Sequence, residues 1–192
     1  MKITSVIFVG ILILSNSAHS GSVCDSQITR EIEACAESNF KGADTELNRV
    51  YQMLDRKLAP ADRQNLRQTQ RYWIQCKTKY CQAAFDATSP GQEAGIDKLA
   101  CLESVTSERT HELLFLDKSY SMKDFNRALN FMANEYENGR EGQVLRKLAR
   151  DTMDGEDQDW LRYAEANCQM THAKLLEERD VCVARMSFYR NW

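Results

Sequence analysis

The residues of this 192-residue chain best able to do chemistry are its seven cysteines: Cys24, Cys35, Cys76, Cys81, Cys101, Cys168 and Cys182. Cys76-x4-Cys81 has a loose metal-ligand spacing, but no second close Cys or His pair accompanies it, so no metal is expected. Of the three histidines, His111 and His172 fall in no ligand-spaced pattern, and His19 lies in the N-terminal leader. There is no G-x-S-x-G elbow, no phosphate-cradling Gly-rich loop, and no Cys and His couple that spacing alone nominates. Asp151 to Asp159 has the acidity of a calcium loop. Setting Gly155 at the sixth position, however, puts Arg150 at the first, where a carboxylate is required. A turn followed by a helix whose positive end attracts acids accounts for that stretch. Among 28 acidic residues no pair stands out for glycan hydrolysis. The sequence therefore nominates no catalytic residue and no cofactor, and it reads as a binding protein rather than an enzyme.

The first twenty residues form an address. Lys2 supplies the positive start, Val6 to Leu14 the apolar run, and Ala18-His19-Ser20 a small-residue cleavage pattern, so cleavage is expected between Ser20 and Gly21. The apolar run is roughly ten residues against the ~20 that span a bilayer, and no later segment approaches that length. Gly21-Ser22-Val23 before Cys24 lacks the pattern of a lipid-anchored export signal. A periplasmic or secreted location follows, and in such an oxidising compartment cysteines are read as disulfides before anything else. Without Lys2 the chain has 24 basic and 28 acidic residues, taking the formal charge from -3 to -4. No Lys or Arg run interleaves with aromatics, so a nucleic-acid partner is not expected, whereas a basic protein partner is permitted.

Helices must position these cysteines. From Ile28 the apolar residues Ile32, Ala36, Phe40, Ala43, Leu47, Val50, Leu54 and Leu58 step by three or four, which predicts one long amphipathic helix that Gly42 weakens without breaking. Pro60 suits the start of a second helix carrying Leu66, Trp73, Ile74, Tyr80 and Phe85. Ser89-Pro90-Gly91 turns the chain into a third helix, with Ile96, Leu99, Leu102, Val105 and Leu113 on its apolar face, ending near Leu116. Weaker helical patterns follow at Phe125 to Tyr136, at Val144 to Leu148 and from Trp160 onward. The exposed connectors are expected at 87–94, 137–142 and 153–157. The fold class is all-α: antiparallel helical hairpins in a disulfide-stapled bundle.

The chain also repeats itself. Trp73 lies eight residues before Cys81 and Trp160 eight before Cys168, while Cys101 lies eight before Arg109 and Cys182 eight before Arg190. Both halves thus run W-x7-C, a connector of variable length, then C-x7-R, as expected of a duplicated hairpin whose insertions collect in the turn. The division implied is a leader over 1–20, a helical domain over 21–118 and a degenerate second unit over 119–192. In a hairpin turning near Pro90, residues equally far from the turn face one another, which pairs Cys81 with Cys101; the same reasoning pairs Cys168 with Cys182. Cys24 and Cys35 then pair locally if the segment before the first helix folds back, with Thr29 as helix cap, and Cys76 is left over. Cross-pairing of Cys24 and Cys35 with the hairpin is the alternative.

Cys24-x10-Cys35, the run Ala43-Asp44-Thr45-Glu46-Leu47-Asn48-Arg49-Val50-Tyr51, the run Leu66-Arg67-Gln68-Thr69-Gln70-Arg71-Tyr72-Trp73-Ile74, and then Cys81 and Cys101 resemble the LprI-like lysozyme-inhibitor domain of exported bacterial proteins. The resemblance covers about Cys24 to Leu116; Cys76 is additional to the usual four cysteines, and the second unit is a further departure. It implies an all-helical exported module with a protein partner, a lysozyme or another peptidoglycan hydrolase. A non-catalytic envelope scaffold or stress protein, or an immunity protein against a secreted toxin, is the alternative. Leu47, Tyr51, Leu66 and Trp73 lie on apolar stripes and are expected in the core, with Asp44, Asn48 and Gln70 as buried hydrogen-bond partners that set helix register. Binding is expected at the exposed connectors, at Gln92 and Glu93 in the first and Glu156 and Asp157 in the last.

Overall fold

A computed structural model describes residues 22–153 and 157–190, with side chains over 22–150 and 157–190. The leader and its cleavage point, like Glu156, lie outside the described residues. Among those described, seven α-helices and no strand occur: α1 (Thr29–Lys57), α2 (Pro60–Thr88), α3 (Ala94–Leu116), α4 (Lys123–Tyr136), α5 (Glu141–Met153), α6 (Gln158–Leu175) and α7 (Arg179–Arg190). No helix among them is long and apolar enough to cross a membrane.

Local chemistry explains the boundaries. Ile28 is the N-cap of α1 and makes no side-chain cap bond. Ser26 does that work instead of Thr29: its hydroxyl accepts the Ile28 N–H at 3.1 Å and donates to Glu31 at 2.6 Å. Pro60 opens α2, where a missing N–H leaves no bond unmade. The first connector is shorter than expected, because α2 continues through Thr88 and Ala94 is already helical and 3 % exposed. Between α4 and α5 the chain turns through Asn138 and Gly139, both at positive φ. That turn is not wholly exposed: Glu137 is buried and ion-paired with Lys147 of α5.

Helix α3 packs along both α1 and α2, which touch each other little; α2 packs on α6, α7 on α6 and α5, and α4 on α5. One core joins Leu47, Val50 and Leu54 of α1, Leu66 and Trp73 of α2 and Leu113 and Leu116 of α3 to Trp160, Tyr163 and Ala164 of α6 and Val183 and Met186 of α7. A smaller one gathers Met122, Phe125, Leu129, Ala133, Val144 and Ala184. Three disulfides staple the frame: Cys24–Cys35, Cys81–Cys101 and Cys168–Cys182, with Cα separations of 5.8, 5.5 and 5.6 Å. The first joins α1 to the segment before it, which folds back so that Ser22 N–H donates to Asn39 Oδ1 and Asn39 Nδ2 donates to Ser22 O. The other two clamp the α2–α3 and α6–α7 hairpins. Cys76 takes part in no bridge and is half-buried.

Candidate functional site

Two features of the surface offer themselves: the tip of the α2–α3 hairpin and a cleft between the two clamped hairpins. At the tip, Gln92 and Glu93 are exposed in a five-residue connector. Asp157 is placed elsewhere. Its carboxylate accepts the Asp159 N–H at 2.8 Å as N-cap of α6 and pairs with Lys79 of α2. Lys79 is nine residues before Thr88, about 14 Å along the helix at 1.5 Å per residue, so Asp157 does not join Gln92 and Glu93 in one patch.

The cleft is lined by α2 (Trp73, Cys76, Lys77, Tyr80), α3 (Val105, Glu108, Arg109, Glu112), α6 (Trp160, Tyr163) and α7 (Met186, Tyr189, Arg190), and holds about 50 Å³. Cations sit on its aromatic walls: Lys77 Nζ lies 4.6 Å from the Trp73 ring centre, and the Arg190 guanidinium 5.0 Å from that of Trp160. Arg109 is the hub beneath. Its Nε donates to Gln70 Oε1 at 3.0 Å, and its Nη1 donates to Asn167 Oδ1 at 2.7 Å and Tyr163 Oη at 3.3 Å. Asn167 Nδ2 in turn donates to Glu112 Oε2 at 3.0 Å. The other Glu112 oxygen meets Arg185, whose Nε and Nη2 hold Glu177 in a fork at 2.8 and 3.0 Å. A buried polar chain therefore ties α2, α3, α6 and α7 together, with Arg109 Nη2 the one atom of these side chains left buried without a hydrogen-bond partner.

Burial sets the electrostatics. Loss of water, then the nearby Glu112 charge, pushes the Glu108 carboxyl up to about 8, against a bond from Ser104 that works the other way. Burial likewise pushes the Tyr163 hydroxyl up to about 12, the Arg109 charge opposing it. Burial also lowers Lys77, an effect that Asp44 of α1 partly offsets. At Arg185 burial opposes the charge, but Glu112 and Glu177 outweigh it and hold the guanidinium above its ordinary range. Glu108 thus keeps its proton at neutral pH and can donate a hydrogen bond.

Residues 23–113 match the family model of the lysozyme inhibitor LprI. The resemblance is thereby shown over that segment, which is α1, α2 and nearly all of α3. Neither a curated protein nor a solved structure matches the chain. Within the LprI-matched segment Leu47, Leu66 and Trp73 are buried, and Tyr51 packs half-buried against them. Asp44 accepts from Asn48 Nδ2 at 2.9 Å one turn away on α1, and Asn48 itself is exposed rather than buried. Gln70 is the motif residue that reaches the polar chain, through Arg109. Glu108, Glu112, Asn167, Glu177 and Arg185 were not singled out from the sequence. A partial signal existed, since the C-x7-R spacing marks Arg109 and Arg190, both of which line the cleft.

Proposed function

We propose that this protein is an exported, non-catalytic inhibitor of a lysozyme or another peptidoglycan hydrolase, acting in the periplasm or outside the cell. The observation that carries the reading is the match to a lysozyme-inhibitor family over residues 23–113. Disulfides support export, since they persist where no thiol pool reduces them. Inhibition of a glycan-cleaving cleft requires a pre-ordered protrusion, and ordering it in advance lowers the entropic cost of binding. The α2–α3 tip meets that need, with Gln92 and Glu93 exposed above the Cys81–Cys101 clamp. We take the inhibitory unit as 21–118, following a leader over 1–20, with 119–192 as a degenerate copy that braces it.

The test adds the oxidised chain, in micromolar excess, to a panel of lysozymes and muramidases acting on peptidoglycan. Saturable slowing of at least one hydrolase, lost on reduction of the disulfides, supports the reading. No slowing across the panel removes it and transfers the case to a non-catalytic envelope scaffold, which pull-down from envelope extract would show.

A further inference from the structure

The cleft between the hairpins holds a charge that no carboxylate of the described residues pairs, the Arg109 guanidinium, which lies 5.4 Å from the Tyr163 ring centre. Arg109 is 1 % exposed. Its Nε and Nη1 meet only neutral oxygens, of Gln70, Tyr163 and Asn167, and its Nη2 is buried without a hydrogen-bond partner. Among the described residues it forms no ion pair, and Glu112 is taken by Arg185 and Asn167. A buried guanidinium is costly until an anion meets it, and its planar fork matches a carboxylate. Space limits the anion. The cleft holds about 50 Å³ and is partly open, which admits a carboxylate with a few carbons and lets any longer chain extend outward.

We propose that this cleft binds a short carboxylate, which takes the open position on Arg109 while its few carbons lie against Trp73, Val105 and Met186. The cations Lys77 and Arg190, set on Trp73 and Trp160, favour entry of an anion. Glu108, protonated up to about 8, supplies a second donor rather than a competing charge. The other titratable or charged groups lining the cleft with Glu108 are Cys76, Lys77 and Tyr80 of α2, Arg109 and Glu112 of α3, Tyr163 of α6, and Tyr189 and Arg190 of α7, and Ser104 of α3 bonds its carboxyl. Binding is therefore present below about pH 8 and falls as Glu108 ionises. The carboxylate is that of a free small acid or that of a peptide end.

The oxidised chain is titrated with propionate, propionamide, N-acetylalanine and, at matched ionic strength, chloride. Fluorescence of Trp73 and Trp160 and the NMR signal of the Arg109 Nε–H report occupancy, with no hydrolase present, so the result is separate from the inhibitor reading. Propionate saturates in the millimolar range and propionamide binds at least about tenfold more weakly, the loss expected for a charge-assisted bond. N-acetylalanine tighter than propionate assigns the site to a peptide end; the reverse assigns it to a free acid. Wild-type binding falls between ~pH 6 and ~pH 9.5, whereas Glu108→Gln, which mimics the protonated carboxyl, binds at both. Propionate acting no better than propionamide or chloride overturns the proposal. So does a pH profile that Glu108→Gln leaves unchanged.

Discussion

Replacing Glu108 by Gln removes one ionisable proton and little else, which makes the raised carboxyl measurable as stability. In the unfolded chain this carboxyl ionises near 4.5; in the fold, burial and the Glu112 charge hold the proton to about 8. Between those values the folded state binds more protons than the unfolded one, so stability falls as pH rises from about 4.5 to about 8. At ~1.4 kcal/mol per unit the shift sets a ceiling of about 5 kcal/mol. Because the cleft is partly open and the ionised carboxylate can draw in water, we expect about 2 kcal/mol. Urea unfolding of wild type and Glu108→Gln, compared at ~pH 4.5, ~pH 6.5 and ~pH 8.5, isolates the effect from every other acid in the chain. The variant should match wild type at the lowest pH and exceed it by about 2 kcal/mol at the highest. A difference that stays flat over this range refutes the reasoning, for then Glu108 ionises in the fold as it does in water.

Four further outcomes follow from the geometry. Arg185→Met strands Glu112 and Glu177 in the interior and should cost about 3–5 kcal/mol in denaturant unfolding. Opening the 20-residue Cys81–Cys101 loop with a paired Cys→Ser change should cost about 3 kcal/mol in the same assay, from the entropy returned to the unfolded chain. Gly42→Ala should raise stability by about 0.5–1 kcal/mol, since a methyl there meets nothing within 4 Å and the residue is mid-helix. Gln92→Ala with Glu93→Lys should weaken hydrolase inhibition without moving Tm, because both side chains are exposed at the tip; a lost Tm would mean that the connector supports the fold instead.

Much of this fold is legible because helix spacing and turn residues are local signals. Leu47, Val50 and Leu54 announce the buried stripe of α1, Pro60 the start of α2, and Pro90 the hairpin whose symmetry pairs Cys81 with Cys101. Boundaries were less legible: Glu137 was expected in an exposed connector, and only its distant partner Lys147 explains its burial. The polar chain was the least legible part. Charged and amide residues are ordinarily solvated, so nothing marks Glu112, Asn167 and Arg185 as buried until residues 55 to 73 positions apart are brought together. Gln70 stood out as a motif residue, but nothing in the spacing could name Arg109 as its partner.

Arg109 lies inside the LprI-matched segment, yet two of its three acceptor residues, Tyr163 and Asn167, lie outside it. This alone does not make the C-terminal helices necessary. If α6 and α7 were withdrawn, water would reach the guanidinium, and water is an adequate partner for a cation. What water cannot replace is apolar cover. Trp73, Leu66 and Leu113 share their core with Trp160, Ala164, Val183 and Met186, and a fully buried side chain of this kind contributes about 1.5–3 kcal/mol through removal from water. Several such losses together approach the whole stability of a domain, which is about 5–15 kcal/mol. The polar chain therefore fixes how the two hairpins meet, while the shared apolar core provides the reason for them to meet at all.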